Sequence, residues 1–294
     1  MNEFFKLLVL GLLEGGLYAI VAAAIVLVYK STHVVSLAHG QIMGFGALAF
    51  WFALVYLKVP IILALVISLV FVGLMGWVIE RLAMRPLIGQ PLFAAFLVTF
   101  AVFLMFDGIF QLILKGQSAS FAKYLPGGTV SIAGVSVGIA QIVSLGISLL
   151  VFAGLGLFFQ FTKLGLGMRA TTEDHQLAQS TGITVRSIFS HIWVFSSFVA
   201  GIAGIALAVV MDIYYPLPYL GIKGLTVALV GGLESLPGAL LAGFILGILE
   251  NVCAGYLDPI VGGGVKEVAA YVLLLFILLI KPYGLLGLVR IERI

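Results

Sequence analysis

Nine stretches of the chain are apolar runs separated by short polar segments. They fall at residues 4–28, 34–57, 59–79, 92–114, 137–161, 188–211, 220–232, 237–256 and 265–280. An α-helix needs about 20 mostly apolar residues to cross about 30 Å of hydrocarbon. Most of the runs approach or exceed that length. The seventh is short and Gly-rich, which predicts a broken or re-entrant segment. The second opens with polar residues and is expected to start non-helically. Lipid offers no hydrogen bonds to the backbone, so spanning segments are expected to be helical. The pattern predicts an all-α, polytopic transmembrane bundle of about nine membrane segments. No polar stretch is large enough to fold alone, so residues 1–294 read as a single transmembrane domain.

Composition agrees with the pattern. The chain is 63% hydrophobic and 9% charged, with a mean hydropathy of +1.26. Soluble domains are about 45–50% apolar and about 25% charged, so a soluble core is excluded. The first run is too long for a signal peptide, carries both Glu3 and Lys6 at its start, and is followed by further runs; it reads as a retained span. One cysteine, Cys253, excludes an intrachain disulfide and a Cys-based metal site.

Basic residues set the expected orientation. With the N-terminus outside and nine alternating spans, Arg81, Arg85, Arg169, Arg186, Arg290 and Arg293 all fall on the cytoplasmic side. Lys30, Lys163 and Lys281 join them, while Lys6, Lys58, Lys115, Lys123, Lys223 and Lys266 fall outside. The lysines do not decide, the arginines do, and the expectation is N-out and C-in. The longest outer loop covers about 115–136, with Pro126-Gly127-Gly128 as a turn signal.

Polar groups inside spans need a reason, because an acid at a helix centre costs about 2.5–3.5 kcal/mol. Glu14 lies between Gly11 and Gly15, a thin face that a neighbouring helix can approach. It reads as a pathway acid or as a packing acid bonded to that helix. Asp107, before Gly108, is open to the same two readings. Glu250-Asn251 is placed toward the outer end of the eighth span, where a charge is cheap. His39, Gly40 and Gln41 lie in the inner part of the second span. A helix starting late there would offer free backbone N–H groups to a polar ligand or a water-filled path; the alternative is a His bonded to a neighbour. The pairs Gly243/Gly247 and Ala200/Gly204 have the spacing of close helix packing. Residues 44–50 and 236–243 are alike, either as a faint internal repeat or by chance.

No G-x-x-x-x-G-K-[ST] phosphate loop, H-E-x-x-H or G-x-S-x-G occurs, and His33, His39, His175 and His191 lack metal-ligand spacing. The chain is not expected to be an enzyme or to hold a metal. Nothing points to nucleic acid; the surroundings expected for this surface are membrane lipid.

One polar stretch stands out. "TTEDHQLAQSTGITVRS" (171–187) reads as a helix over 173–182, capped by Thr171 or Thr172, with Glu173 and Asp174 in its first turn and Gly182 at its end. Such a short helix is marginal alone and is expected to dock on something.

This stretch resembles the cytoplasmic loop of ABC importer permeases, and among them the high-affinity branched-chain amino acid permeases. Their approximate pattern E-N-P-x-x-A-x-x-x-G-I is met at Glu173, Ala178, Gly182 and Ile183, with Asp174 for Asn and His175 at the position of Pro. "SLAHGQIMGFGAL" (36–48) is similar to the family's N-F-A-H-G-E stretch, with Ser36, Leu37 and Gln41 as departures. "FSSFVAGIAGIALA" (195–208), "VGGLESLPGALLAGFILGILE" (230–250, Glu234 where Gly is common) and "KPYGLLG" (281–287) resemble further family segments in order.

The resemblance implies one membrane subunit of an ATP-driven importer. It would work beside a second homologous permease subunit, two cytoplasmic ATP-binding subunits and an extracytoplasmic substrate-binding protein. No cofactor is expected in this chain, since ATP and Mg would be held by the ATPases. Residues 162–187 would be a coupling loop, with Glu173, Asp174, Ala178, Gly182 and Ile183 gripped by an ATPase. Gly182 and the Gly-rich seventh span would be flexible points. His39, Gly40, Gln41, Glu14 and Asp107 are the translocation-path candidates. The implied substrate is a branched-chain or other hydrophobic amino acid, with urea, short amides and aromatic acids as alternatives. From the residues alone, an ion-coupled secondary transporter or channel remains the competing class.

Overall fold

The computed structural model describes residues 2–121, 124, 127–132, 134–173, 180, 182 and 184–287. Its helices are α1 (Asn2–Thr32), α2 (Ala38–Val55), α3 (Ile61–Ile79), α4 (Leu92–Leu114), α5 (Ile139–Phe161), α6 (Lys163–Glu173), α7 (Val185–Met211), α8 (Leu220–Gly231), α9 (Leu236–Val261) and α10 (Val265–Ile280). All of these except α6 coincide with the nine apolar runs. Among the described residues, seven helices are long and apolar enough to cross a membrane. The other two apolar ones, α8 with 12 residues and α10 with 16, reach only about 18 and 24 Å. The chain is a polytopic helical membrane protein with seven full-length candidate spans and two shorter apolar helices.

Among the described residues the fold departs from all-α at one place. Strands β1 (Thr129–Ile132) and β2 (Val135–Gly138) pair antiparallel, with Thr129 opposite Gly138 and Ile132 opposite Val135. Val135 and Val137 bury against Leu13 of α1. An isolated bridge between Ala119 and Ile213 ties the same loop to the end of α7.

Helix α1 is the hub. From Leu17 to Val28 every residue is buried, as expected for a helix that is apolar all round. Its partner α9 can lie close because glycines face glycines. A Cβ added to Gly11 would stand 2.6 Å from the Gly247 carbonyl oxygen, and one on Gly15 2.5 Å from that of Gly243. A second seam joins α2 to α7, where Gly46 meets the backbone of Gly201 and Gly204 meets that of Met43. Both helix pairs use small residues to bring backbones together. In contrast α3, α4 and α5 turn Ile62, Leu104 and Leu150 outward, a surface suited to lipid or another protein.

Candidate functional site

The second span starts late, as its sequence suggests. After His33, which has φ +54, the chain stays non-helical until α2 begins at Ala38. This segment is held by Thr99 of α4, whose hydroxyl donates to the Val35 carbonyl at 3.3 Å and accepts from the Leu37 N–H at 3.4 Å. Irregular backbone at this depth is tolerated where it lines a cavity. A cavity of about 520 Å³ lies beside it, lined by Tyr29, Thr32, His33, Val34, Gln90 and Trp193 among others.

His39 is fully buried. Its Nδ1 lies 2.9 Å from the Ser36 hydroxyl and its Nε2 2.9 Å from that of Ser196, and its ring packs on Trp193. Gly40 is a close-packing residue: a Cβ there would sit 2.5 Å from the Pro218 carbonyl oxygen and 3.2 Å from Gly221 Cα. The start of α2 therefore abuts the start of α8, two helices that both begin inside the bundle. The Gly-rich seventh run is a short continuous helix, not a broken one, and its Gly221 and Gly224 are used to approach Gly40 and Val21.

Gln41 leads into a polar cluster. Its Nε2 donates to Asp107 Oδ1 at 3.2 Å, while Gln111 Nε2 donates to Asp107 Oδ2 at 2.7 Å. The Tyr219 hydroxyl donates to the same Oδ2 at 3.2 Å and lies 2.9 Å from the Tyr215 hydroxyl. The structure thus joins Gln41 and Asp107 from the sequence candidates. It adds Gln111, Tyr215 and Tyr219, of which only Gln111 carried a signal, standing four residues after Asp107 on one helix face.

Glu14 belongs to a separate cluster on α1, α8, α9 and α10. It accepts from Asn251 Nδ2 at 3.0 Å and pairs with Lys266. Glu250 is not at a cheap outer position. It is fully buried, because α9 runs on to Val261. It accepts from the Tyr18 hydroxyl at 3.0 Å and faces Lys223 Nζ at 3.2 Å. Lys223, placed outside by the alternation of spans, is instead buried within α8. Removing either charge from water is costly, and each is held by the other.

The polar loop begins with a helix that the sequence reading did not separate. At Thr162 the chain is extended, and α6 then folds back on the end of α5, where a Cβ on Gly165 would meet the Phe158 carbonyl oxygen at 2.5 Å. Thr171 and Thr172 do not cap a following helix. They lie inside α6, both hydroxyls donate back to the Met168 carbonyl, and that of Thr172 also donates to the Lys30 carbonyl at 2.7 Å. Met168 on the same helix is buried in the main core. Glu173 ends it. Asp174, Ala178 and Ile183 lie outside the described residues. Gly182 has φ +86, and no described atom lies within 4 Å of a Cβ added there.

Comparison with known proteins gives one consistent result. Residues 7–281 match the family described as branched-chain amino acid transport system / permease component. The chain is 30% identical over 306 residues to the high-affinity branched-chain amino acid transport system permease protein BraD of Pseudomonas aeruginosa, covering 99% of this chain and 98% of that one. It is 26% identical to the corresponding LivH protein of Escherichia coli K12, covering 97% and 96%. It is 30% identical to a probable LivH protein of Methanocaldococcus jannaschii, covering 94% and 90%. Among solved structures, PsaBC from Streptococcus pneumoniae in complex with Fab aligns with a TM-score of 0.52 at 14% identity, over 94% of this chain and 92% of that one. That likeness is one of fold.

Proposed function

Since the chain belongs to the family of permease components of branched-chain amino acid transport systems, we propose that it is the membrane permease of an ATP-driven importer for branched-chain or other hydrophobic amino acids. It is a multi-pass protein of the cell (inner) membrane and not itself an enzyme. ATP and Mg are held by separate subunits. Its partners are ATP-binding and substrate-binding components, arranged as two cytoplasmic ATPases, one extracytoplasmic binding protein and a second homologous permease. The whole of 1–294 acts as one permease domain, oriented N-out and C-in by its arginines.

Residues 162–187 are the coupling loop in this reading, with Glu173, Asp174, Ala178, Gly182 and Ile183 at the ATPase contact. The docking of α6 supports it. Through Thr172 and the Lys30 carbonyl, α6 touches the end of the central helix α1, so a push on the loop would reach the hub of the bundle. His39, Gly40, Gln41 and Asp107 mark the path, with Glu14 beside it. The late start of α2 next to a cavity supports that placement, because half-helices beginning within the bundle are a recurring way to build a transporter site.

The observation that carries the proposal is the family match across residues 7–281. The test is a pull-down of candidate ATPase subunits in detergent. Wild type is compared with a folded Glu173→Ala, Ala178→Arg, Gly182→Leu variant. Binding by wild type alone is expected. An ATPase that binds both equally removes the loop from the coupling role, and no binding to wild type removes the importer reading.

A further inference from the structure

Among the described residues, the buried acids Glu80 and Glu250 and the half-buried Glu14 are matched by cations, while the buried Asp107 is not. Glu14 pairs with Lys266, Glu80 with Arg85 at 3.0 Å, and Glu250 with Lys223 at 3.2 Å. Asp107 is only 7% exposed, yet among the described residues its partners are all neutral: Gln41, Gln111 and Tyr219. A carboxylate in a low-dielectric bundle with neutral donors alone is electrostatically incomplete.

A second atom points the same way. Gln41 is fully buried, and its Oε1 has no hydrogen-bond partner. A carboxylate only accepts, so the Gln41 amide must turn its NH₂ toward Asp107. Its oxygen then stands within about 5.5 Å of the carboxylate by covalent geometry. The site therefore holds an unpaired negative charge and an unpaired acceptor side by side. Both ask for a cation with several N–H donors.

The cluster comes to the surface on one side through Gln111 and Tyr215, with Gln41 and Asp107 buried beneath them. Gln111 and Tyr215 are exposed on a face that otherwise turns Phe100, Leu104, Met105 and Leu112 outward. Amides and hydroxyls are poor neighbours for lipid, so this face is expected to meet water or another protein. The surrounding apolar side chains would suit a hydrophobic substituent beside the charged group.

We propose that the Asp107 cluster is the subsite that receives the ammonium group of an amino acid passing through the path. Asp107 supplies the counter-charge, Gln41 Oε1 a second acceptor, and the Tyr215–Tyr219 hydroxyl pair a third. The inference rests on the importer reading above.

The test uses the complex assembled with its partner subunits in vesicles, with radiolabelled leucine as the probe. Gln111→Lys places an ammonium of the protein's own next to Asp107. The expected result is an assembled complex of equal or higher melting temperature that has lost about tenfold or more of its uptake, the loss of one charge-assisted contact. A merely structural Asp107 would be content with that lysine, so uptake within about twofold of wild type overturns the subsite. Asp107→Asn is expected to lose uptake similarly, and again near-wild-type uptake overturns it. Replacing sodium by choline is expected to leave wild-type uptake unchanged; dependence on sodium assigns the site to an inorganic cation instead. If wild type takes up no leucine with ATP, the importer reading itself fails, separately from the variants.

Discussion

Glu250 and Asp107 are both carboxylates buried among apolar helices, and they are treated in opposite ways. Glu250 sits against Lys223 and Tyr18, at the junction of α1, α8 and α9. Close by, glycines bring α1 and α9 into backbone contact. Asp107 sits between α4, the start of α2 and the lead-in to α8, with neutral donors and an exposed edge. The first arrangement is closed: charge meets charge, and packing fixes the helices. The second lacks a matching cation among the described residues, and its edge comes to the surface at Gln111 and Tyr215. The difference separates a region that holds the bundle together from one that is available to a ligand.

Four variants probe that difference through unfolding in detergent. Glu250→Ala leaves the buried Lys223 with only the exposed Glu267 at 3.7 Å and is expected to cost about 3 kcal/mol, while Glu250→Leu with Lys223→Met is expected to recover most of it. If the single change is as mild as the double, the pair is not a fastening. Gly243→Leu wedges α1 from α9 at a backbone contact and is expected to cost about 1–3 kcal/mol. It would disturb the Glu14–Asn251 contact and spare the Asp107 cluster, which disulfide trapping across each helix pair can distinguish. Asp107→Asn is expected to have the smallest effect on stability, within about 0.5 kcal/mol or slightly stabilising, since it removes a buried charge without orphaning a cation. A loss on the scale of Glu250→Ala would erase the comparison.

The apolar runs located the seven helices that are long and apolar enough to span, because lipid demands long continuous hydrophobic stretches. The late start of α2 was legible in its polar opening, and the Gly11/Gly15 and Gly243/Gly247 pairs announced a seam without naming each other as partners. What stayed hidden depends on contacts between distant residues. Lys223 falls on the outer side in the sequence pattern, because alternation of spans assigns sides and cannot see a counter-ion 27 positions away. Glu250 read as interfacial, because the extension of α9 to Val261 passes a proline that suggests an earlier end. The hairpin's signal is short: "TVSIAGVSVG" (129–138) alternates apolar and polar residues over ten positions beside much longer apolar runs. Thr171 and Thr172 looked like caps, and only the burial of Met168 shows which way their hydroxyls turn. Of the path candidates, Gln41 and Asp107 were each visible, but their pairing and the two tyrosines were not.

The most direct test of the account is uptake by the assembled transporter in vesicles. The chain, its co-purifying ATPase subunits and the binding protein are loaded with labelled leucine. Accumulation that requires both ATP and the binding protein and ignores a sodium or proton gradient is expected. Accumulation by this chain alone, driven by such a gradient and indifferent to ATP, would contradict it.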